Sequence, residues 1–122
     1  MREQIHHMQP QAEYYFAEGC YITELANSAA DEFVSIARAR VVPGVTTRWH
    51  CLRGIVERYV ILTGTGRVEV GGLHPQEVTN GAVILIPPGC RQRITNIGSE
   101  DLVFLAICSP RFRQDAYEDV EA

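Results

Sequence analysis

Gly44–Gly64 reads GVTTRWHCLRGIVERYVILTG, and Gly81–Asn96 reads GAVILIPPGCRQRITN. Each stretch is a β-rich run that opens on a glycine. Val56–Thr63 alternates and is dense in β-branched residues, and Gly64-Thr65-Gly66 ends it with a turn. Working outward, the same grammar repeats. Runs at Cys20–Ala26, Phe33–Val42, Val45–Arg53, Val56–Thr63, Arg67–Gly71, Gln76–Thr79, Ala82–Ile86, Cys90–Asn96 and Leu102–Ser109 are separated by turn residues such as Pro43-Gly44, Asn80-Gly81, Pro87-Pro88-Gly89 and Gly98-Ser99. Many short strands at such close spacing predict an all-β sandwich or barrel.

Composition narrows the function classes. The chain has 122 residues, a length suited to one domain. All eleven basic residues are arginines. The absence of lysine excludes Schiff-base chemistry on lysine, a pyridoxal-phosphate anchor and a lysine-bearing phosphate loop. With 46% apolar and 21% charged residues the sequence is that of a globular protein. A net charge of −4, with arginines scattered between acids, argues against nucleic acid as a partner. No stretch approaches the roughly 18 apolar residues of a membrane helix. The opening residues Met1–His7 lack the apolar core of a signal peptide, so a cytoplasmic location is expected. Cys20, Cys51, Cys90 and Cys108 form no Cys-x-x-Cys pair and are expected as free thiols.

The two quoted stretches resemble, in order, the two sequence motifs of the cupin family. In the first, Gly44, His50, Glu57 and Gly64 stand at the family's spacing, with Leu52 at the position of the second histidine. In the second, Gly81, Pro87, Gly89 and Asn96 stand at the family's spacing, with Gln92 at the histidine position. The resemblance implies a double-stranded β-helix, or jelly-roll barrel, with an internal pocket. It also implies a single divalent metal ion (Fe, Mn, Ni or Zn) held at positions 50, 52, 57 and 92. Carried over residue by residue, His50 and Glu57 are retained, Gln92 offers only an amide oxygen, and Leu52 cannot ligate. The expected organisation is one domain over 1–122, with an arm at 1–19, a barrel at 20–109 and a tail at 110–122 that forms a short helix or frays.

Strand parity gives a compatible site without the family. Alternate residues of a strand share a face, so Thr46, Arg48, His50 and Leu52 are expected on one side and Trp49 and Cys51 on the other. Glu57, Tyr59 and Ile61 share a face, as do Gln92, Ile94 and Asn96, with Arg91 and Arg93 outward. His50, Glu57 and Gln92 are therefore the candidate metal ligands. Arg48 is the candidate fork for a ligand's carboxylate or phosphate, or else an inner salt bridge, and Tyr59 is a candidate pocket hydrogen-bond donor. Glu57 is the only acid this reasoning places inward, which argues against a paired-carboxylate glycosidase. Two functional readings stay open, and with them whether the protein is an enzyme. One is a cupin whose depleted metal site binds or converts a small anionic or carbohydrate-like ligand. The other is a metal-free small-molecule-binding module. Finally, Ala82–Ile86 and Leu102–Cys108 are apolar on both faces, so a homodimer is expected to cover them, the alternative cover being the chain's own N-terminal arm.

Overall fold

A computed structural model describes residues 1–121. Two antiparallel sheets face each other. The first contains β1 (Tyr14–Phe16), β2 (Cys20–Ala26), β3 (Ser35–Val41), β5 (Val56–Thr63), β8 (Val83–Ile86) and β10 (Leu102–Ser109), in the order β1-β2-β3-β10-β5-β8. The second contains β4 (His50–Leu52), β6 (Gly66–Val70), β7 (Gln76–Val78), β9 (Gln92–Asn96) and β11 (Tyr117–Asp119), in the order β11-β4-β9-β6-β7. This is the expected all-β double-stranded β-helix. Two single 3-10 turns, Pro10–Ala12 and Gln114–Ala116, are the only helical segments among the described residues. None is long and apolar enough to cross a membrane.

Side-chain alternation builds the core. On β5, Glu57, Tyr59 and Ile61 point inward, while Arg58 and Val60 are less buried. They meet Ile84 and Ile86 of β8, Phe104 of β10, and Val68, Val70 and Ile94 from the opposite sheet. Small residues serve the same end on β3. Ser35, Ala37 and Ala39 face the interior and leave room beside the large rings of Tyr59 and Phe104, which lie 4.4 Å apart. Arg38 and Arg40 turn outward onto Glu13.

Both chain ends depart from expectation. Tyr14–Phe16, placed by the sequence in a loose arm, pairs with β2 and extends the first sheet. Beyond Pro110 the tail neither frays nor forms an α-helix. It makes one 3-10 turn and then β11, which pairs antiparallel with β4 and sets Asp119 opposite His50. The reason is an apolar patch that needs covering: Leu52, Ile55 and Cys108 pack against Phe112, Ala116 and Tyr117.

Candidate functional site

Three of the sequence-derived candidates arrive in one region of the barrel. His50 and Gln92 are direct cross-strand neighbours on β4 and β9. Glu57 lies across the interior on β5, and Gln92 Nε2 donates to its Oε1 at 2.6 Å. All three are buried, with Gln92 fully so and His50 only 1% exposed. The Cys108 thiol, cross-strand from Glu57, approaches the other carboxylate oxygen at 3.8 Å. Tyr59 reaches the same interior and lines its cavity, as parity predicted.

Arg48 does not. Its guanidinium stands about half exposed on the surface, with Nε donating to Asp119 Oδ2 at 2.5 Å. The parity reading fails because β4 begins only at His50. Residues 47–49 are irregular, and Thr47 rather than Thr46 is buried. Trp49 does face outward, where the Arg91 and Arg93 guanidinium groups lie over its ring at 4.1 and 4.3 Å.

The residue that sequence reasoning missed is Glu18. It sits in the tight turn between β1 and β2 and directs its carboxylate into the barrel, where Oε1 lies 3.1 Å from His50 Nε2. The sequence carries no directional signal for it, because this turn falls in the segment read as an arm. Gly19 has φ +110°, and a Cβ there would lie 3.5 Å from the Thr47 main chain. The turn is fixed from below by the Arg48 main-chain N–H, which donates to the Glu18 carbonyl at 2.8 Å. Glu57 is therefore not the only inward acid.

The geometry sets the protonation logic. His50 Nδ1 lies 2.7 Å from the Arg48 carbonyl, which can only accept, so Nδ1 carries a hydrogen. The Nε2 contact with Glu18 then requires a second proton, held by either the imidazole or the carboxyl. Burial lowers the His50 pKa, whereas burial pushes Glu18 up to about 7. The proton accordingly rests on Glu18 while the pair is neutral. Glu57 is also pushed up to about 7, by burial and then by the charge of Glu18. Two carboxyls pushed up toward neutrality and one imidazole pushed down thus share the barrel interior.

The group opens onto a cavity of about 50 Å³ walled by Glu18, Glu57, Tyr59, Phe16, Phe104 and Phe112, with Glu24, Tyr14 and Ser35 also on its lining. At ~10–15 Å³ per water, it holds a few waters or one end of a small molecule. Among the described residues no arginine or histidine side chain lines it.

The family's metal can be tested against these residues. A shared ion needs lone pairs from His50, Glu57 and Gln92 aimed at one point. Instead Gln92 turns its amide N–H on Glu57, its carbonyl oxygen is buried without a partner, and Leu52 is packed in the apolar patch. Among the described residues no three of His, Cys, Asp and Glu stand where they could hold an ion. As arranged, the residues do not fit the metal.

A family model described as a cupin domain matches residues 37–108. The chain belongs to the cupin family. Its fold is shared with KdgF from Halomonas sp. (TM-score 0.79, 14% identity, covering 93% of this chain and 98% of that one). It is also similar to Pac13, a nucleoside dehydratase (TM-score 0.77, 13% identity, 97% and 92%), which is a Streptomyces protein. A third similar structure is CapF of Staphylococcus aureus, a capsular polysaccharide assembling protein (TM-score 0.73, 18% identity). This cupin is 90% covered by that match but spans only about a third, 34%, of the CapF chain. No curated protein matches its sequence. At these identities the likeness shows the fold alone.

Proposed function

We propose that this cupin binds a small, uncharged, hydroxyl-bearing molecule of carbohydrate-like chemistry without a metal, and moves a proton on it. The observation that carries the reading is the Glu18–His50 contact, which must share a proton and whose carboxyl lies on the cavity wall. A group with its pKa near 7 is suited to both giving and taking a proton at neutral pH. Glu18 gives its proton to a ligand oxygen and becomes a carboxylate, while Glu57 in its ionised form takes a proton from the ligand as the complementary base, so the two carboxyls exchange roles and His50 stays neutral. The sequence-level alternative of an anionic ligand loses its support, because Arg48 lies outside and the cavity wall carries carboxyls with no cation. The printed descriptions of Pac13 and CapF, a nucleoside dehydratase and a capsular polysaccharide protein, agree with a sugar-related ligand class.

The test begins with untagged protein loaded in turn with Fe, Mn, Ni, Cu and Zn, then dialysed and assayed by elemental analysis. Substoichiometric metal is expected throughout. Binding is then followed by NMR with small sugars and nucleosides, with acetate and phosphate as anionic controls, and turnover by deuterium uptake from D2O at ligand carbons. Glu18→Gln is expected to keep binding within about threefold and to slow exchange at least a hundredfold, within the usual range for a general acid. One tightly held metal per chain, lost in both His50→Ala and Glu57→Ala, would replace this reading with the metal-dependent one.

The expected homodimer is proposed in turn. Its support is β8, an edge strand on which Val83 and Leu85 are 64% and 62% exposed with no charge on that strand to guard them.

A further inference from the structure

The short segment before β4 carries the site, yet little regular structure holds it. Thr47, Arg48 and Trp49 belong to no strand, and β4 meets β9 through the single His50–Gln92 pair. What holds it on the other side is the C-terminal tail. β11 pairs Tyr117 with Leu52, Glu118 with Cys51 and Asp119 with His50. Beyond it, the Val120 N–H donates to the Trp49 carbonyl at 2.9 Å, and Glu121 Oε2 accepts the Trp49 main-chain N–H at 2.6 Å. Asp119 clamps the Arg48 guanidinium.

These contacts converge on the Arg48 main chain, whose N–H holds Glu18 and whose carbonyl accepts the His50 Nδ1 hydrogen. Against the imidazole lies the Tyr117 ring, with centroids 5.4 Å apart and planes 20° from parallel. The Tyr117 ring also meets Phe16 edge-on, at 5.0 Å, on the strand that leads into the Glu18 turn. The Tyr117 hydroxyl is buried with no partner. It is therefore the ring, and not a hydrogen bond of the phenol, that ties this residue to its surroundings.

We propose that Tyr117 and Asp119 are positioning residues for the proton-sharing pair: the tail strand holds the His50 ring plane and keeps its hydrogen on Nδ1, so that Nε2 meets Glu18. The ring restrains the imidazole by stacking, and Asp119 restrains the Arg48 carbonyl by holding its side chain and pairing with β4. The function so assigned rests on the acid–base reading above, but its test is independent of any ligand. An imidazole free of these restraints rotates, loses the Arg48 carbonyl and populates both tautomers. Removing the unpartnered hydroxyl, by contrast, leaves stacking intact and costs nothing in hydrogen bonding.

Protein labelled with 15N-histidine reports the tautomer directly through the separation of the two ring-nitrogen shifts, with His50 assigned by its loss in His50→Ala. Wild type is expected to show the wide separation of a single Nδ1–H tautomer. In Tyr117→Leu and Asp119→Asn that separation is expected to fall by at least half, and the ring-current shift of the His50 protons to vanish in Tyr117→Leu. Tyr117→Phe is expected to restore the wild-type pattern in both. Wild-type His50 spectra in folded Tyr117→Leu and Asp119→Asn overturn the proposal. Should Tyr117→Leu not fold, Asp119→Asn decides alone, since it alters a partly exposed pair. If no sugar or nucleoside binds wild type while the tautomer still collapses in the variants, the acid–base reading falls and the positioning role stands.

Discussion

Glu18 and Glu57 are buried carboxyls with no arginine beside them in the cavity, and Arg38, Arg40, Arg48 and Arg93 pair with other acids. Their folded-state pKa values, each near 7 against an ordinary 4.5, make a sign-definite prediction. Between pH 4.5 and 7 these two carboxyls hold more protons in the folded protein than in the unfolded chain, so their contribution to stability is full below that window and is lost as pH rises through it. The loss is on the order of 3 kcal/mol for each carboxyl. Urea unfolding at pH 5 and pH 8 should show wild type weaker at pH 8, and the double variant Glu18→Gln, Glu57→Gln should lose most of that difference. Equal pH dependence in the two proteins would mean that these carboxyls stay ionised. At this scale the sequence was partly legible. His50, Glu57 and Gln92 could be named because motif spacing sets strand register, and register sets which side chains face inward. Arg48 was misplaced because parity holds only within a strand, and its strand starts two residues later. Glu18 was invisible because a turn has no period from which to read direction.

At the scale of elements, most strands were readable from alternation and turn residues: Cys20–Ala26, Val56–Thr63 and Leu102–Ser109 form with the expected bounds. β4 and β11 were not, since each is three residues long and is held by partners rather than by its own pattern. The turns between strands make a sharper prediction. Gly64 has φ +90°, and a Cβ there would stand 2.7 Å from the Asp101 carbonyl oxygen and 2.9 Å from the Leu102 Cα. Both obstacles are main chain, so relief requires moving the start of β10, a strand central to the first sheet. Gly64→Ala should cost roughly 2–4 kcal/mol in urea unfolding, from left-handed strain together with the clash. Gly54→Ala is the control. It has φ +70° but no atom within 4 Å, and should cost only about 1 kcal/mol. Similar losses at both would show that backbone strain alone decides.

For the whole molecule, the open question is what covers β8. Sedimentation at micromolar concentration is expected to give twice the 13.6 kDa chain mass, and Leu85→Asp to give one chain mass without loss of fold. A monomeric wild type would mean that these apolar side chains are simply tolerated at an edge. The sequence by itself determined the barrel, its inward-facing strands and the place of His50, Glu57 and Gln92, because alternation and turn chemistry act locally and repeat along the chain. It also determined that two of the family's three histidine positions, 52 and 92, lack an imidazole. Only the tertiary structure decided what those residues do to one another. Glu18 and Tyr117 come from opposite ends of the chain, and they meet His50 because each sheet is completed by a terminal strand. Neither contact has a local signature. Burial in the closed barrel then shifts the carboxyls toward neutrality, and that shift depends on how completely water is excluded, a property of the packed molecule that no single segment carries.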